Sequence, residues 1–327
     1  MEINYQKICK DFLKDLPERT REVISRRFGL SVIGAEKETL EQIGKSYDIT
    51  RERVRQIEED GLSILSSKTK NYGKILKYFA QEIKKRGELK REDLLLEDLG
   101  GKLFQNQAFF LLTLGNQFQR FSETKDLYPF WTTNGGVLKG AQNFIQSFIN
   151  KLEEIKHPIS LKEYGMANRS LVQPSLSYLE ISKKIQLTEK GLYGLREWPE
   201  VNPRGVKDKA YLVFKDENKP LHFSEVANLI PGKALAQTVH NELIKDPRFV
   251  LVGRGLYALK EWGYEEGVVK DVILKALQEA KKPLTKGDIL DRVLKQRMVK
   301  ESTVLLNLGN KRYFQKTPDG NYTVKEA

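Results

Sequence analysis

A repeat of about 65 residues governs most of this chain. Gly191-Leu-Tyr-Gly-Leu-Arg-Glu-Trp198 recurs as Gly255-Leu-Tyr-Ala-Leu-Lys-Glu-Trp262, and more weakly as Gly320-Asn-Tyr-Thr-Val-Lys-Glu326. Leu127-Tyr-Pro-Phe-Trp131 is a degenerate copy. The tyrosines of these copies, at 128, 193, 257 and 322, stand 65, 64 and 65 residues apart. A second marker keeps the same period: Leu111-Leu-Thr-Leu-Gly-Asn116 returns as Leu305-Leu-Asn-Leu-Gly-Asn310, 194 residues on. A third is a proline between Lys or His and an apolar residue, at Pro158, Pro220 and Pro283, spaced 62 and 63. Three markers on one period imply tandem copies of one small supersecondary unit. The expected division is a distinct segment at 1–70, then four units at 71–136 (degenerate), 137–201, 202–264 and 265–327.

The third unit shows the internal order most clearly. Val206 to Phe214 has the pattern of a helix, closed by Lys219-Pro220-Leu221 because the residue before a proline avoids helical backbone. Ser224 is a candidate N-cap for a second helix from Glu225 to Ile230, and Pro231-Gly232 ends it. Ala234 to Lys245 reads as a third helix. Phe249-Val-Leu-Val252, a Gly253-Arg-Gly255 turn and Leu256-Tyr-Ala-Leu259 then read as a β-hairpin. Three helices and a hairpin is the winged-helix order. A generic small α+β unit is the other reading of the same pattern. The fold class expected is mainly α with small β-wings.

Composition suits several small domains better than one large core. Apolar residues make up 39% and charged residues 31%, below and above the usual shares. One cysteine, Cys9, excludes a disulfide framework and a cysteine-based zinc site, and His157, His222 and His240 are scattered, so no metal or other cofactor is expected. No apolar run approaches the ~18 residues of a membrane span, and the N-terminus lacks a signal-peptide core. A cytoplasmic, nucleoid-associated location is therefore expected, with no membrane partner. Neither a phosphate-binding glycine loop nor a nucleophile–base set can be assembled, so the chain does not read as an enzyme and no small-molecule substrate is expected. The net charge of +12 suits either plain solubility or a polyanionic partner such as nucleic acid.

Residues 39–58 carry the sharpest motif. Thr39 and Gln42 have the spacing of a capping box, Leu40 and Ile43 give the first helix an apolar side, and Asp48-Ile49 falls at a turn. Thr50 is placed to cap a second helix. At roughly 100° per residue from Arg51, positions Val54, Ile57, Gly61, Ile64 and Leu65 lie on one side, between roughly 220° and 320°. Arg51, Glu52, Arg55, Gln56 and Glu59 lie on the other. Arg, Gln and Glu are the side chains that pair with guanine, adenine and cytosine in the major groove, and N-terminal residues of a recognition helix reach base edges. The alternative is a solvated helix laced with ion pairs, in which the Arg51–Arg55 repulsion is offset by Glu52 and Glu59.

Leu16-Pro-Glu-Arg-Thr-Arg-Glu-Val-Ile-Ser-Arg-Arg-Phe-Gly-Leu30, together with residues 39–58, resembles region 4 of sigma-70-family factors. That resemblance implies recognition of a promoter −35 element and packing on the flap of bacterial RNA polymerase. Carried over position by position, it implies base contacts by Glu52, Arg55, Gln56 and Arg19, and phosphate contacts at Arg51, Arg53 and the helix-capping Thr50. The connector from Leu30 to Glu38 is about two residues longer than is usual for the family. The third unit, from Lys219-Pro-Leu-His-Phe-Ser-Glu-Val226 through Val239 to Trp262, resembles the HARE-type helix-turn-helix, a winged-helix family that includes the N-terminal domain of the RNA polymerase delta subunit.

Residues 1–70 hold 14 Lys+Arg against 13 Asp+Glu, whereas the remaining 257 hold 42 against 31. Sequence-independent phosphate attraction would thus come mainly from the repeats. Arg254 at a wing tip is a candidate for a contact with the phosphate backbone or a narrow minor groove, Lys233, Lys245 and Arg248 are candidates for phosphate contacts, and each reads equally as ordinary surface charge. Trp131, Trp198, Trp262, Tyr193 and Tyr257 read first as packing residues and second as base-stacking groups. The function expected is a sequence-specific, sigma-like transcription regulator with double-stranded promoter DNA and bacterial RNA polymerase as partners. The alternatives are a delta-like polymerase accessory subunit without base reading, and a general nucleoid or defence-related DNA binder. A separate module for opening the −10 element has no place in the repeat, so a stand-alone promoter-melting factor is not expected.

Overall fold

The computed structural model describes residues 3–165 and 169–325. Met1, Glu2, Ala327 and the last residue of the weakest repeat copy, Glu326, lie outside the described residues. The chain is mainly helical with small antiparallel sheets, and it divides into two compact units between Glu197 and Trp198.

The first unit begins with four helices, α1 (Tyr5–Leu13), α2 (Glu18–Phe28), α3 (Leu40–Tyr47) and α4 (Arg51–Ser67). Pro17 precedes α2, where its fixed φ suits the start of a helix, and Gly29 ends it in the left-handed region at φ 64°. A 3-10 turn at Lys68–Tyr72 leads to α5 (Gly73–Lys84), β1 (Leu89–Arg91), α6 (Glu92–Gly100), α7 (Gln105–Leu114), β2 (Gln119–Phe121) and β3 (Phe130–Thr132). These strands form an antiparallel sheet in the order β1-β3-β2, with Trp131 opposite both Lys90 and Arg120. The long α8 (Val137–Ile155), α9 (Arg169–Ile181) and a hairpin of β4 (Ile185–Leu187) and β5 (Tyr193–Leu195) complete the unit.

Two apolar clusters organise the N-terminal half of this unit. The smaller joins Val23, Ile43, Val54 and Ile57 across α2, α3 and α4. The larger ignores the expected border at residue 70. It runs from Tyr5, Phe12, Phe28 and Leu65 into Ile75, Phe79, Leu95, Phe110 and Trp131. Phe110 meets Phe12 edge-on at 6.2 Å and Phe28 at 5.3 Å, and the Tyr5 hydroxyl donates to the Leu99 carbonyl at 2.6 Å. The first four helices and the α5–β3 segment therefore share one core. Of the α4 positions expected to be apolar and inward, Val54, Ile57, Gly61 and Leu65 are buried, but Ile64 is 45% exposed. At roughly 220° it stands at the edge of the buried sector.

The second unit contains α10 (Gly205–Glu217), β6 (Leu221–His222), α11 (Phe223–Leu229), α12 (Ala236–Lys245), β7 (Phe249–Gly253) and β8 (Leu256–Leu259). A 3-10 turn at Lys260–Trp262 is followed by α13 (Val269–Ala280), α14 (Lys286–Gln296), α15 (Glu301–Leu308), β9 (Phe314–Lys316) and β10 (Tyr322–Val324). The cap expected at Ser224 lies instead at His222, whose Nδ1 accepts from the Ser224 amide, while Glu225 accepts from the His222 amide. The helix thus starts two residues earlier, because β6 pairs with β8 and delivers His222, not Ser224, to the helix mouth. Helix α10 ends on Asn218 in the left-handed region, ahead of Pro220. Trp131 and Tyr257 are core residues, and Trp262 packs edge-on to Phe214 at 6.3 Å, which favours the packing reading over base stacking.

Candidate nucleic-acid interface

The α3–turn–α4 geometry is set by local chemistry. Thr39 Oγ1 accepts from the Gln42 amide at 3.2 Å and Gln42 Oε1 accepts from the Thr39 amide at 2.7 Å, a closed capping box. Helix α3 ends on Asp48 at φ 51°, a left-handed position that Asp tolerates. Gly44 is required here, since a Cβ would stand 2.7 Å from the Ile49 carbonyl oxygen. Thr50 Oγ1 then accepts from the Arg53 amide at 3.2 Å and starts α4. A second close approach occurs at Gly61, where a Cβ would meet Ile24 Cδ1 at 2.5 Å and Thr20 Cγ2 at 2.7 Å. A larger residue there would force the Ile24 and Thr20 side chains to shift.

This frame turns the first two turns of α4 outward. Arg51, Glu52, Arg53 and Gln56 are exposed, and Arg55 is half-exposed. Their side chains are not idle. Arg55 donates through Nη2 to Glu52 Oε1 at 2.6 Å and through Nη1 to Glu59, and Arg53 Nη1 donates to Gln56 Oε1 at 3.0 Å. The hydrogen bond from Arg55 holds the Glu52 carboxyl below its ordinary range. These exposed side chains are therefore paired with one another in the free chain. Solvent-exposed pairs of this kind are weak, so an outside partner offering two acceptors would compete with them for Arg55. Glu59 both competes for Arg55 and repels phosphate. Glu59→Gln is expected to tighten binding to a cognate duplex by about twofold to threefold. Fluorescence anisotropy checks this, and unchanged or weaker binding would mean that Glu59 does not restrain Arg55.

Arg19 lies elsewhere on the same module. It is exposed on α2, with its guanidinium 5.2 Å from the centre of the Tyr47 ring at the end of α3. Arg254 belongs to the second unit, exposed at the β7–β8 turn where Gly255 takes φ 70°. Lys233 and Lys245 are exposed there as well. Arg248 is not free to meet phosphate, contrary to one expectation. Its Nη2 donates to Asp208 at 2.8 Å and to Asp246 at 2.6 Å, so two carboxylates outweigh its single charge and tie α10 to the α12–β7 loop.

Several residues that matter here escape a reading of the sequence. Arg26 clasps Glu38 with two hydrogen bonds of 2.8 and 2.7 Å, and Asn106 Nδ2 donates to the Gly29 and Ala35 carbonyls at 3.2 and 2.8 Å. These bonds pin the long 30–38 connector to α2 and α7. Beside it, Glu92 accepts from Arg120 Nη2 and from Trp131 Nε1, both at 2.9 Å. Burial lowers the Lys37 ammonium from its ordinary pKa and raises the Glu58 carboxyl. No sequence signal links these residues, which lie up to 105 positions apart.

Among the described residues, no group of three or more His, Cys, Asp or Glu is arranged to hold a metal ion, and no helix is long and apolar enough to cross a membrane.

A family model described as sigma-70, region 4 matches residues 12–66. Over 67 residues the chain is 46% identical to the RNA polymerase sigma factor RpoD of Helicobacter pylori, covering 20% of this chain and 10% of that protein. Over 63 residues it is 48% identical to the RNA polymerase sigma factor RpoS of Coxiella burnetii, covering 19% of this chain and 17% of that protein. The chain thus spans under a fifth of the length of these curated relatives. By its capped turn, its buried and exposed faces and its family match, the N-terminal segment of this chain is a sigma-70 region 4 helix-turn-helix.

Proposed function

We propose that this chain is a non-enzymatic regulator of transcription in which α4 reads a −35-like promoter duplex while the module docks on bacterial RNA polymerase. One observation carries the reading. The buried Ile43–Val54–Ile57 contacts and the Thr50 cap hold α4 so that Arg51, Glu52, Arg53, Arg55 and Gln56 all face outward from its first two turns. That is the end of a recognition helix that reaches base edges. Glu52, Arg55 and Gln56 read bases, Arg51 and Arg53 hold phosphates beside the Thr50 cap, and Arg19 adds a contact from α2. The similarity to sigma factors supports this assignment.

The segments at 71–136, 137–201, 202–264 and 265–327 act as four winged-helix units, the third of HARE type. The succession of α10, α11, α12 and the β7–β8 hairpin supports that reading for 202–264. They add phosphate or polymerase contacts, Arg254 among them, and weak modules in tandem gain affinity through effective concentration. The test is fluorescence anisotropy of the full chain on a duplex carrying the −35 hexamer of the sigma family and on its scramble, at two salt concentrations. A preference that survives higher salt is expected. Equal binding that collapses with salt would leave phosphate attraction alone and remove base reading.

A further inference from the structure

A groove of about 510 Å³ lies beside α4, between α2 and the 30–38 connector on one side and α7, β2 and β3 on the other. Arg27, Lys37, Glu58, Glu92, Arg120 and Trp131 line it. Its charges are layered. The Glu58 and Glu92 side chains are 15% and 14% exposed, whereas those of Arg27 and Arg120 are 36% and 37% exposed. The carboxylates form the floor and the cations the rim, so solvent meets positive charge.

The cations are held in place. Glu92, itself fixed by Trp131 Nε1, grips Arg120. Glu58 steadies Arg27 at 3.4 Å. Lys37 Nζ stands 3.8 Å from the centre of the Phe109 ring, and the Arg120 guanidinium carbon stands 5.5 Å from the same centre. Two like charges thus share one ring, with Arg27 near by; burial and the repulsion of Arg120 and Arg27 disfavour the Lys37 ammonium, and the Glu92 carboxylate offsets this only in part. An anion between them would relieve that cost.

The place also fits. Lys37 precedes the α3 cap, Thr39, by two residues. Glu58 is the helical neighbour of Arg51 and Arg55 at i+7 and i+3, so the groove runs alongside the outward face of α4. We infer that this groove seats a backbone phosphate of the duplex that α4 reads, held by Lys37 and Arg120. A residue more than fifty positions beyond the matched segment then completes the footprint of the helix-turn-helix. The inference rests on the reading of α4 as a duplex-binding helix.

Salt dependence tests it. The full chain and its Lys37→Ala, Arg120→Gln and Arg120→Lys variants are titrated with the −35-like and scrambled duplexes across a salt series. Lys37→Ala and Arg120→Gln should each weaken binding to both duplexes by the same factor. Each should also reduce the slope of log affinity against log salt by about 0.9. Arg120→Lys should keep the slope. Unchanged slopes in a chain that still prefers the −35-like duplex would overturn the seat. So would an Arg120→Lys loss equal to that of Arg120→Gln, which would trace the effect to packing. Saturable binding of inorganic phosphate that Arg120→Gln abolishes, with slopes unchanged, would reassign the groove to a free anion and overturn it too. A wild-type chain without duplex preference would refute base reading by α4, while falling slopes in the variants would still support a phosphate seat.

Discussion

Arg55→Ala is expected to reduce the preference of the full chain for its −35-like duplex over a scramble by roughly fivefold to a hundredfold. Arg55 lies in the second turn of α4, where Glu52 and Glu59 orient its guanidinium from either side. On the proposed reading, the O6 and N7 acceptors of a guanine would replace those carboxylates as the partners of its donors. Truncation removes the donors and also leaves two carboxylates unneutralised beside the duplex. Both duplexes will therefore bind more weakly, and the ratio between them is the readout that isolates base reading. The fold should survive, because Val54 and Ile57 carry the packing of this stretch and Arg55 takes no part in it. A ratio unchanged by the substitution would take Arg55 out of the base-reading set.

Phe110→Ala is expected to destabilise the N-terminal unit by about 3–5 kcal/mol. That is a large share of the roughly 5–15 kcal/mol that holds a typical domain together. Phe110 is fully buried, and its ring packs edge-on against Phe12 and Phe28. Phe28 ends α2, and the same cluster reaches Leu65 near the end of α4. The cavity would thus open under the helix-turn-helix although Phe110 lies outside residues 12–66. Chemical denaturation followed by duplex binding at intermediate denaturant checks this. The two signals should be lost together and earlier than in the wild type. A duplex-binding transition that stays where it was, while the α5–β3 segment melts early, would show that the helix-turn-helix does not need this shared core. For contrast, Leu306 is 79% exposed on α15, and its truncation should move stability little.

The two substitutions differ in how visible their grounds are in the sequence. The surroundings of Arg55 are local. A capping box spans four residues, a left-handed Asp closes α3, and the faces of α4 follow from the helical period. Each of these depends on side chains within a turn or two, so residue type and spacing suffice to read them. The error at Ile64 came from the same logic, since the period places a residue on a sector but does not say how far the neighbouring helix extends over it. Ser224 failed as a cap for a related reason: β6 had to pair with β8 before His222 could reach the helix mouth.

The surroundings of Phe110 and Arg120 are not local. The Phe12–Phe110 contact joins residues 98 apart, and the Arg120–Glu92 pair crosses the sheet that Trp131 closes. Arg248 looked like a free surface cation until Asp208, forty residues earlier, took its charge. By itself the sequence determined the helix-turn-helix, the outward face of α4 and the basic excess of the repeats. Only the tertiary structure decided that the first four helices share a core with the α5–β3 segment, and which cations remain free to meet an anion. Hydrogen bonding within a turn is written into neighbouring residues, whereas burial and long-range charge pairing depend on which surfaces the folded chain brings together.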